Sequence, residues 1–240
     1  MTSIVNHRMR SKSLLDQRPL RTTPLLTCVA KSILLAAITL LVFDCAPSGQ
    51  LELDQHGNNQ RTSEQSIADS ATALHQSPSD LVLGNPDAHT TVVEFFDYNC
   101  SFCRRAQPEV TKLLSSDADV RVVIKELPVM GSGSLFAAKA ALASARQEKY
   151  AQFHDALNRS NVPKNETTVL KVADEIGIDI GKLKEDMQDP AIAEVLSSNR
   201  VLAKSLSVSG TPSFIIGDVV LPGFASYKKL REHVASARGK

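Results

Sequence analysis

Apolar residues run almost without a break from Val92 to Phe96, interrupted only by Glu94, and the run is bounded by Asp97 and Asn99. A near-continuous apolar stretch of this length predicts a central strand covered on both faces. Beyond it the period changes. Phe102, Ala106, Val110 and Leu113 fall at helical spacing, with Arg104, Arg105, Gln107, Glu109 and Lys112 on the other side. Cys100 therefore stands where a strand gives way to a helix, and Cys103 lies one turn inside it. Pro108 is expected to kink that helix.

The same patterning carries through the rest of the chain. Leu81-Val82-Leu83 predicts a short strand closed by the turn composition Gly84-Asn85-Pro86-Asp87, and Val120 to Lys125 alternates as a further strand ended near Pro128. From Ser132 to about Leu206 the pattern is helical throughout. An Ala-rich helix runs from Leu135 to Ala145, and another carries Tyr150, Phe153 and Leu157 on one face. A third runs from an Asn165 cap to Gly177, and a short one displays Ile180, Leu183 and Met187. The last begins at Asp189-Pro190, a cap followed by proline at the first helical position, and shows Val195, Asn199, Leu202 and Leu206. Strands then return: Ser213 to Ile216, a Gly217-Asp218 turn and Val219 to Leu221 read as a hairpin, and Tyr227, Leu230 and Val234 mark a closing helix. The order is β-α-β, a helical block, then β-β-α, an α/β chain. Tyr150, Phe153, His154 and Met187 are expected in the core.

The N-terminus has a different character. A basic stretch leads into the apolar run Ile33 to Phe43, followed by Ala46-Pro47-Ser48 with small residues placed for cleavage before Gly49. Residues 1–48 are read as a cleaved signal peptide; an uncleaved membrane anchor is the alternative, since the apolar run from Leu25 approaches the ~20 residues of a span. Either way the body is exported into an oxidising compartment, expected to be the periplasm. Residues 49–79 are rich in Gln, Asn and Ser and predict a polar linker with at most one short helix, on which Ile67, Ala71 and Leu74 form a stripe. Residues 80–240 form the remaining unit, with the helical insertion at about 132–206.

With 240 residues, 42% of them hydrophobic, the chain can build a sizeable core. The net charge of +1 conceals an asymmetry: the first 48 residues hold six of the 27 Lys and Arg and two of the 26 Asp and Glu. The body is left mildly acidic, which gives no reason to expect nucleic acid as a partner.

The Cys-x-x-Cys pair carries the chemistry. Structural zinc needs a second pair of ligands, but the other cysteines, Cys28 and Cys45, lie in or beside the N-terminal apolar segment, and the six histidines are scattered. A c-type haem needs His where Arg104 stands, and an iron–sulfur cluster needs four thiolates. A cysteine-protease pairing of Cys100 with His154 leaves Cys103 without a part. Two inert buried cysteines are the bland reading. A thiol at a helix N-terminus instead meets free N–H groups and the positive end of the dipole, which favour the thiolate. Dithiol redox chemistry fits best, with a metal-capturing pair completed by a second chain as the alternative outside enzymology.

Two separated segments then bring a resemblance: Glu94-Phe95-Phe96-Asp97-Tyr98-Asn99-Cys100-Ser101-Phe102-Cys103 and Ser209-Gly210-Thr211-Pro212-Ser213-Phe214, supported by Lys125-Glu126-Leu127-Pro128 and Phe153-His154-Asp155-Ala156-Leu157. The chain resembles the DsbA-type thiol–disulfide oxidoreductases, a thioredoxin-like fold with an inserted all-helical domain, from about Leu81 to Val234. The resemblance implies that Cys100 is the nucleophile, Cys103 the resolving thiol, Pro212 a cis-proline and Thr211 the residue beside the disulfide that holds extended substrate. Glu94 matches the family's buried acid and would accept the Cys103 proton, through water, as that thiol attacks the mixed disulfide. A carboxylate there has its pKa raised if buried; a solvated or ion-paired Glu94 is the alternative. The Ser101-Phe102 dipeptide departs from the His often found between the family's cysteines, so redox strength does not transfer.

The expectation is an exported dithiol oxidant that passes its Cys100–Cys103 disulfide to reduced secreted proteins and is reset by a membrane redox partner, without cofactor or metal. An isomerase or reductase kept reduced by such a partner is the alternative. Related isomerases oligomerise through an N-terminal helical stalk, and 49–79 lacks the three to four heptads a coiled coil needs, so a monomer is expected.

Overall fold

The computed structural model describes residue 65, residues 67–75 and residues 81–239. The signal or anchor expected at 1–48, Cys28, Cys45 and most of the linker lie outside the described residues. The elements in chain order are α1 (Ala71–His75), β1 (Leu81–Gly84), β2 (Thr90–Phe96), α2 (Ser101–Ser116), β3 (Val120–Glu126), α3 (Ser132–Ser144), α4 (Tyr150–Arg159), α5 (Glu166–Glu175), α6 (Ile180–Asp186), α7 (Pro190–Ser205), β4 (Ser213–Ile216), β5 (Val219–Pro222) and α8 (Tyr227–Arg238). A 3-10 turn, Ala145–Gln147, joins α3 to α4.

The sheet has the order β1-β3-β2-β4-β5. β2 and β3 are parallel, with Glu94 opposite Ile124 and Phe96 opposite Glu126; β1, β4 and β5 join antiparallel. β2 is central, which explains its apolar run: a strand covered on both sides has no polar face to show. Val92 and Phe96 enter the larger core with Val110 and Leu113 of α2, Leu230 and Val234 of α8, and the helical block. Val93 and Phe95 turn to the opposite face, against Leu202 and Ala203 of α7 and Leu206 just after it.

Ile67 and Leu74 are buried in that second core. Two members of the stripe seen in the polar N-terminal stretch thus pack on the sheet of their own chain, while the third, Ala71, is exposed.

The helical block lies between β3 and β4 as α3 to α7, and its caps follow the sequence chemistry. The side chains of Asn165 and Asp179 accept from the backbone N–H of Thr168 and Lys182, and Asp189 accepts from Ala191 with Pro190 at the start of α7. Gly177 ends α5 at a φ of 73°, where a side chain would be strained.

Candidate functional site

Between the end of β2 and the start of α2 the chain makes a tight turn that aims Cys100 at the helix N-terminus. Asp97 builds the turn. Its Oδ1 accepts from the Asn99 N–H at 2.8 Å and the Ser134 hydroxyl at 2.7 Å, and its Oδ2 accepts from the Val129 and Met130 N–H groups at 2.8 and 2.9 Å. Four donors satisfy this buried carboxylate and tie the β2–α2 turn to the segment after β3. Asn99 ties it to the helical block: its Oδ1 accepts from the Lys164 N–H at 2.7 Å and its Nδ2 donates to the Lys164 carbonyl at 3.0 Å. The Lys164 ammonium is itself buried, donating to the Ser160 and Val162 carbonyls, and burial pulls its pKa down to about 8. Nothing in the sequence pattern marked Lys164 or its bonds to Asn99, because these cross 65 residues and leave no periodic trace.

Cys100 is the N-cap of α2, and Cys103 lies fully buried one turn along. Both are free thiols. Their sulfurs are close but not bonded to each other. The environments of the two sulfurs are opposite. Cys100 is pulled from an ordinary 9.0 to about 5, first by the Cys103 thiol and then by the Thr211 side chain and the Cys103 and Phe102 N–H groups, against some desolvation. A helix end alone supplies roughly 0.3–2 kcal/mol, at most about 1.5 pH units, so these local donors do the remainder. Arg104 is not among them; its charge bears instead on Lys164. Cys103 is pushed strongly upward by burial, by the Cys100 sulfur and by the Glu94 charge. One thiol is poised to ionise at neutral pH and the other to keep its proton.

Thr211 and Pro212 come to this site from the far end of the helical block. The Cys100 thiol donates to the Thr211 carbonyl at 3.1 Å, and the Thr211–Pro212 peptide is cis. The Pro212 carbonyl accepts from Gly223 at 2.8 Å, which anchors the loop to β5. Phe102 is half exposed beside Cys100, with the Arg105 guanidinium 4.5 Å from its ring centre. The departing dipeptide therefore gives the site an apolar rim where a histidine would give a titratable one.

Glu94 is fully buried on the α2 side of β2, and neither oxygen has a hydrogen-bond partner. Burial, with the Cys100 sulfur second, raises its pKa to about 8. The solvated alternative is thereby set aside. Four further buried groups lie along the same face. Tyr98 donates to His154 Nδ1 at 2.9 Å, since His154 Nε2 faces the acceptor Gln107 Oε1 at 3.3 Å and so carries the ring hydrogen. Burial drives His154 down to about 3, so it is neutral, in line with the core role expected of it. Tyr150 lies 3.4 Å from the same Nδ1. Glu126, at the end of β3, also approaches the Tyr98 hydroxyl, but that group has one hydrogen, which the 2.9 Å contact with His154 uses. Both Glu126 oxygens are left without a completed bond. Among the described residues, no group of three or more His, Cys, Asp or Glu side chains is arranged to hold a metal ion.

Comparison with known proteins agrees with this geometry. Residues 91–235 match the family model of the DSBA-like thioredoxin domain. A thioredoxin-like oxidoreductase from Silicibacter pomeroyi, whose crystal structure is known, superposes with a TM-score of 0.69 at 45% identity, over 70% of this chain and 98% of that one. Disulfide bond formation protein D of Bacillus subtilis is 26% identical over 64% of this chain and 74% of its own length. The Na(+)/H(+) antiporter NhaA 3 of Salinispora tropica is 32% identical over 139 residues, 57% of this chain and 21% of the antiporter. The chain spans about a fifth of the length of such antiporter relatives, so transport remains a property of those proteins. By its strand–helix junction, its paired thiols and this match over most of its described length, the chain belongs to the DSBA-like thioredoxin domain family.

Proposed function

We propose that this protein is a dithiol oxidant that passes a Cys100–Cys103 disulfide to reduced secreted proteins. The observation that carries the reading is the contrast between the two sulfurs: Cys100 ionises at about 5, while Cys103 is buried and holds its proton. A stabilised Cys100 thiolate favours the reduced enzyme and is a good leaving group, so the oxidised pair gives up its disulfide readily.

The steps balance as follows. A substrate thiolate attacks Cys100 Sγ, forming a mixed disulfide and breaking the Cys100–Cys103 bond. Cys103 leaves as a thiolate and takes a proton from Glu94, which at neutral pH is mostly protonated and thus suited to giving one. A second substrate thiolate attacks the substrate sulfur, and Cys100 leaves ionised. Two electrons pass from substrate to enzyme; of the two protons the substrate thiols release, one refills Glu94, whose own proton now rests on Cys103, and the other goes to solvent. A membrane redox partner removes the two electrons by the reverse exchange. Thr211 backbone groups beside Cys100 hold the substrate as an added strand.

One further feature supports an oxidant over an isomerase. Ile67 and Leu74, the apolar groups a helical stalk would need, are already buried against the sheet, which favours a monomer. No described helix is long and apolar enough to cross a membrane. The periplasm, reached through a cleaved or anchoring N-terminal segment, is the compartment in which this chemistry fits.

Replacing Cys103 by Ala tests the reading. The variant should accumulate stable mixed disulfides through Cys100 with thiol substrates, because no resolving thiol remains. Failure to trap any, together with stoichiometric zinc uptake by the wild-type protein, would replace the oxidant with a metal-capturing module. Light scattering beside a scrambled-ribonuclease assay should give a monomer with weak reshuffling; a stable dimer or trimer with strong reshuffling favours an isomerase.

A further inference from the structure

Glu126 takes no part in the exchange just described, yet it is a second fully buried carboxyl on the face that holds Glu94. The parallel register sets Phe96 opposite Glu126 and Ile124 opposite Glu94, so the two glutamates are diagonal neighbours on adjacent strands. That spacing is roughly 7–8 Å between backbones, which long side chains bridge. All four carboxyl oxygens lack a partner, and neither residue forms an ion pair among the described residues.

We propose that Glu126 is a second acid of the dithiol site, which stays protonated and shares with Glu94 the one proton the two retain after Glu94 has protonated Cys103. The groups around the pair favour this, the Tyr98 hydroxyl apart. Asp97 and Tyr98 approach Glu126 from the turn after β2, Tyr150 and His154 from α4, and Cys100 and Cys103 face Glu94 from α2. His154 is neutral, and Lys125, the neighbour on β3, points to the opposite face and donates to the Ala73 carbonyl at 2.7 Å. No cation among these offsets a second negative charge, and two carboxylates this close in a buried site cannot both be ionised. Burial and the charges of Asp97 and Glu94 raise the proton affinity of Glu126 well above that of a free carboxyl against the opposing contact of the Tyr98 hydroxyl, while Glu94 is raised only to about 8, so it is Glu94 that ionises first. A protonated Glu126 then offers its O–H to the carboxylate left on Glu94. Glu126 acts through Glu94 and is a positioning residue.

The inference rests on Glu94 serving Cys103, but its test needs no substrate and can fail while the dithiol chemistry stands. The full chain, reduced and labelled with carbon-13 in the glutamate carboxyls, is titrated by NMR from about pH 5 to 10, with Glu94→Gln assigning the resonance. Wild-type Glu94 should titrate once near 8 while Glu126 stays protonated. Glu126→Gln keeps a donor and should leave that midpoint in place. Glu126→Leu removes the donor and should move it up by about one pH unit, the size of one hydrogen bond to a charged group. Leucine in place of an unpaired buried acid does not threaten folding, which thermal melting checks. Equal Glu94 midpoints in wild type and Glu126→Leu, or a Glu126 resonance that titrates below that of Glu94, would overturn the proposal.

Discussion

The Cys100 thiol lies 3.1 Å from the carbonyl oxygen of Thr211, a residue 111 positions later in the chain. A carbonyl only accepts, so this contact exists while the thiol keeps its hydrogen and is released when Cys100 ionises. Ionisation therefore does two things at once. It arms the sulfur, and it frees the Thr211 carbonyl for the backbone N–H of an extended substrate.

Alkylation of reduced protein by iodoacetamide should follow the Cys100 thiolate, with a midpoint near pH 5. In Cys103→Ala the largest stabilising donor is gone, and the midpoint should rise by at least about one pH unit. The same titration appears in stability. The folded pKa is below the unfolded one, so the contribution of Cys100 to the reduced form is complete above about 8.5 and is lost as pH falls through 5. A midpoint that stays put in Cys103→Ala would assign the shift to the helix end instead.

Glu94 has the opposite sign. Its folded pKa is raised from 4.5 to about 8, so the folded state holds a proton the unfolded state has released, and stability falls as pH rises across that interval. Glu94→Gln removes the titration and should stabilise the protein on the order of 2–4 kcal/mol at pH 8, with little effect at pH 4.5. Chemical denaturation at the two pH values checks this. The same variant should slow reduction of the disulfide, because Cys103 then leaves without a proton donor.

Gly133 faces the Lys164 carbonyl so closely that an added Cβ would stand 2.1 Å from that oxygen. Gly133→Ala should therefore push the 160–165 segment away and break its bonds to Asn99, at a cost of roughly 2 kcal/mol or more. Asn99→Ala should lose a similar amount by leaving the Lys164 N–H and carbonyl unpaired. Because both changes act on one contact, the double variant should cost little more than either alone in thermal melts. Full additivity would show that the two residues act separately.

How much of this was legible in the sequence depends on the kind of interaction. The junction at Cys100, the strand holding Glu94 and the helical block follow from a change of apolar period, a local signal. Ile67 and Leu74 were visible as a stripe, but which surface they cover depends on where the sheet presents an open face. The bonds of Asp97, Asn99 and Lys164 are single polar contacts across long sequence gaps, and no periodicity records them. Glu126 sits where a strand ends, a place at which a charged residue ordinarily meets solvent. Its burial is a property of the helices that close over that end.

The direction of electron flow is the central claim, and equilibration of the full chain with glutathione redox buffers tests it most directly. The oxidised fraction of the Cys100–Cys103 pair, read by thiol alkylation, should give a reduction potential at or above about −180 mV, the range of proteins that donate disulfides. A value near −270 mV, where thioredoxin lies, would contradict the account and make the protein a reductant.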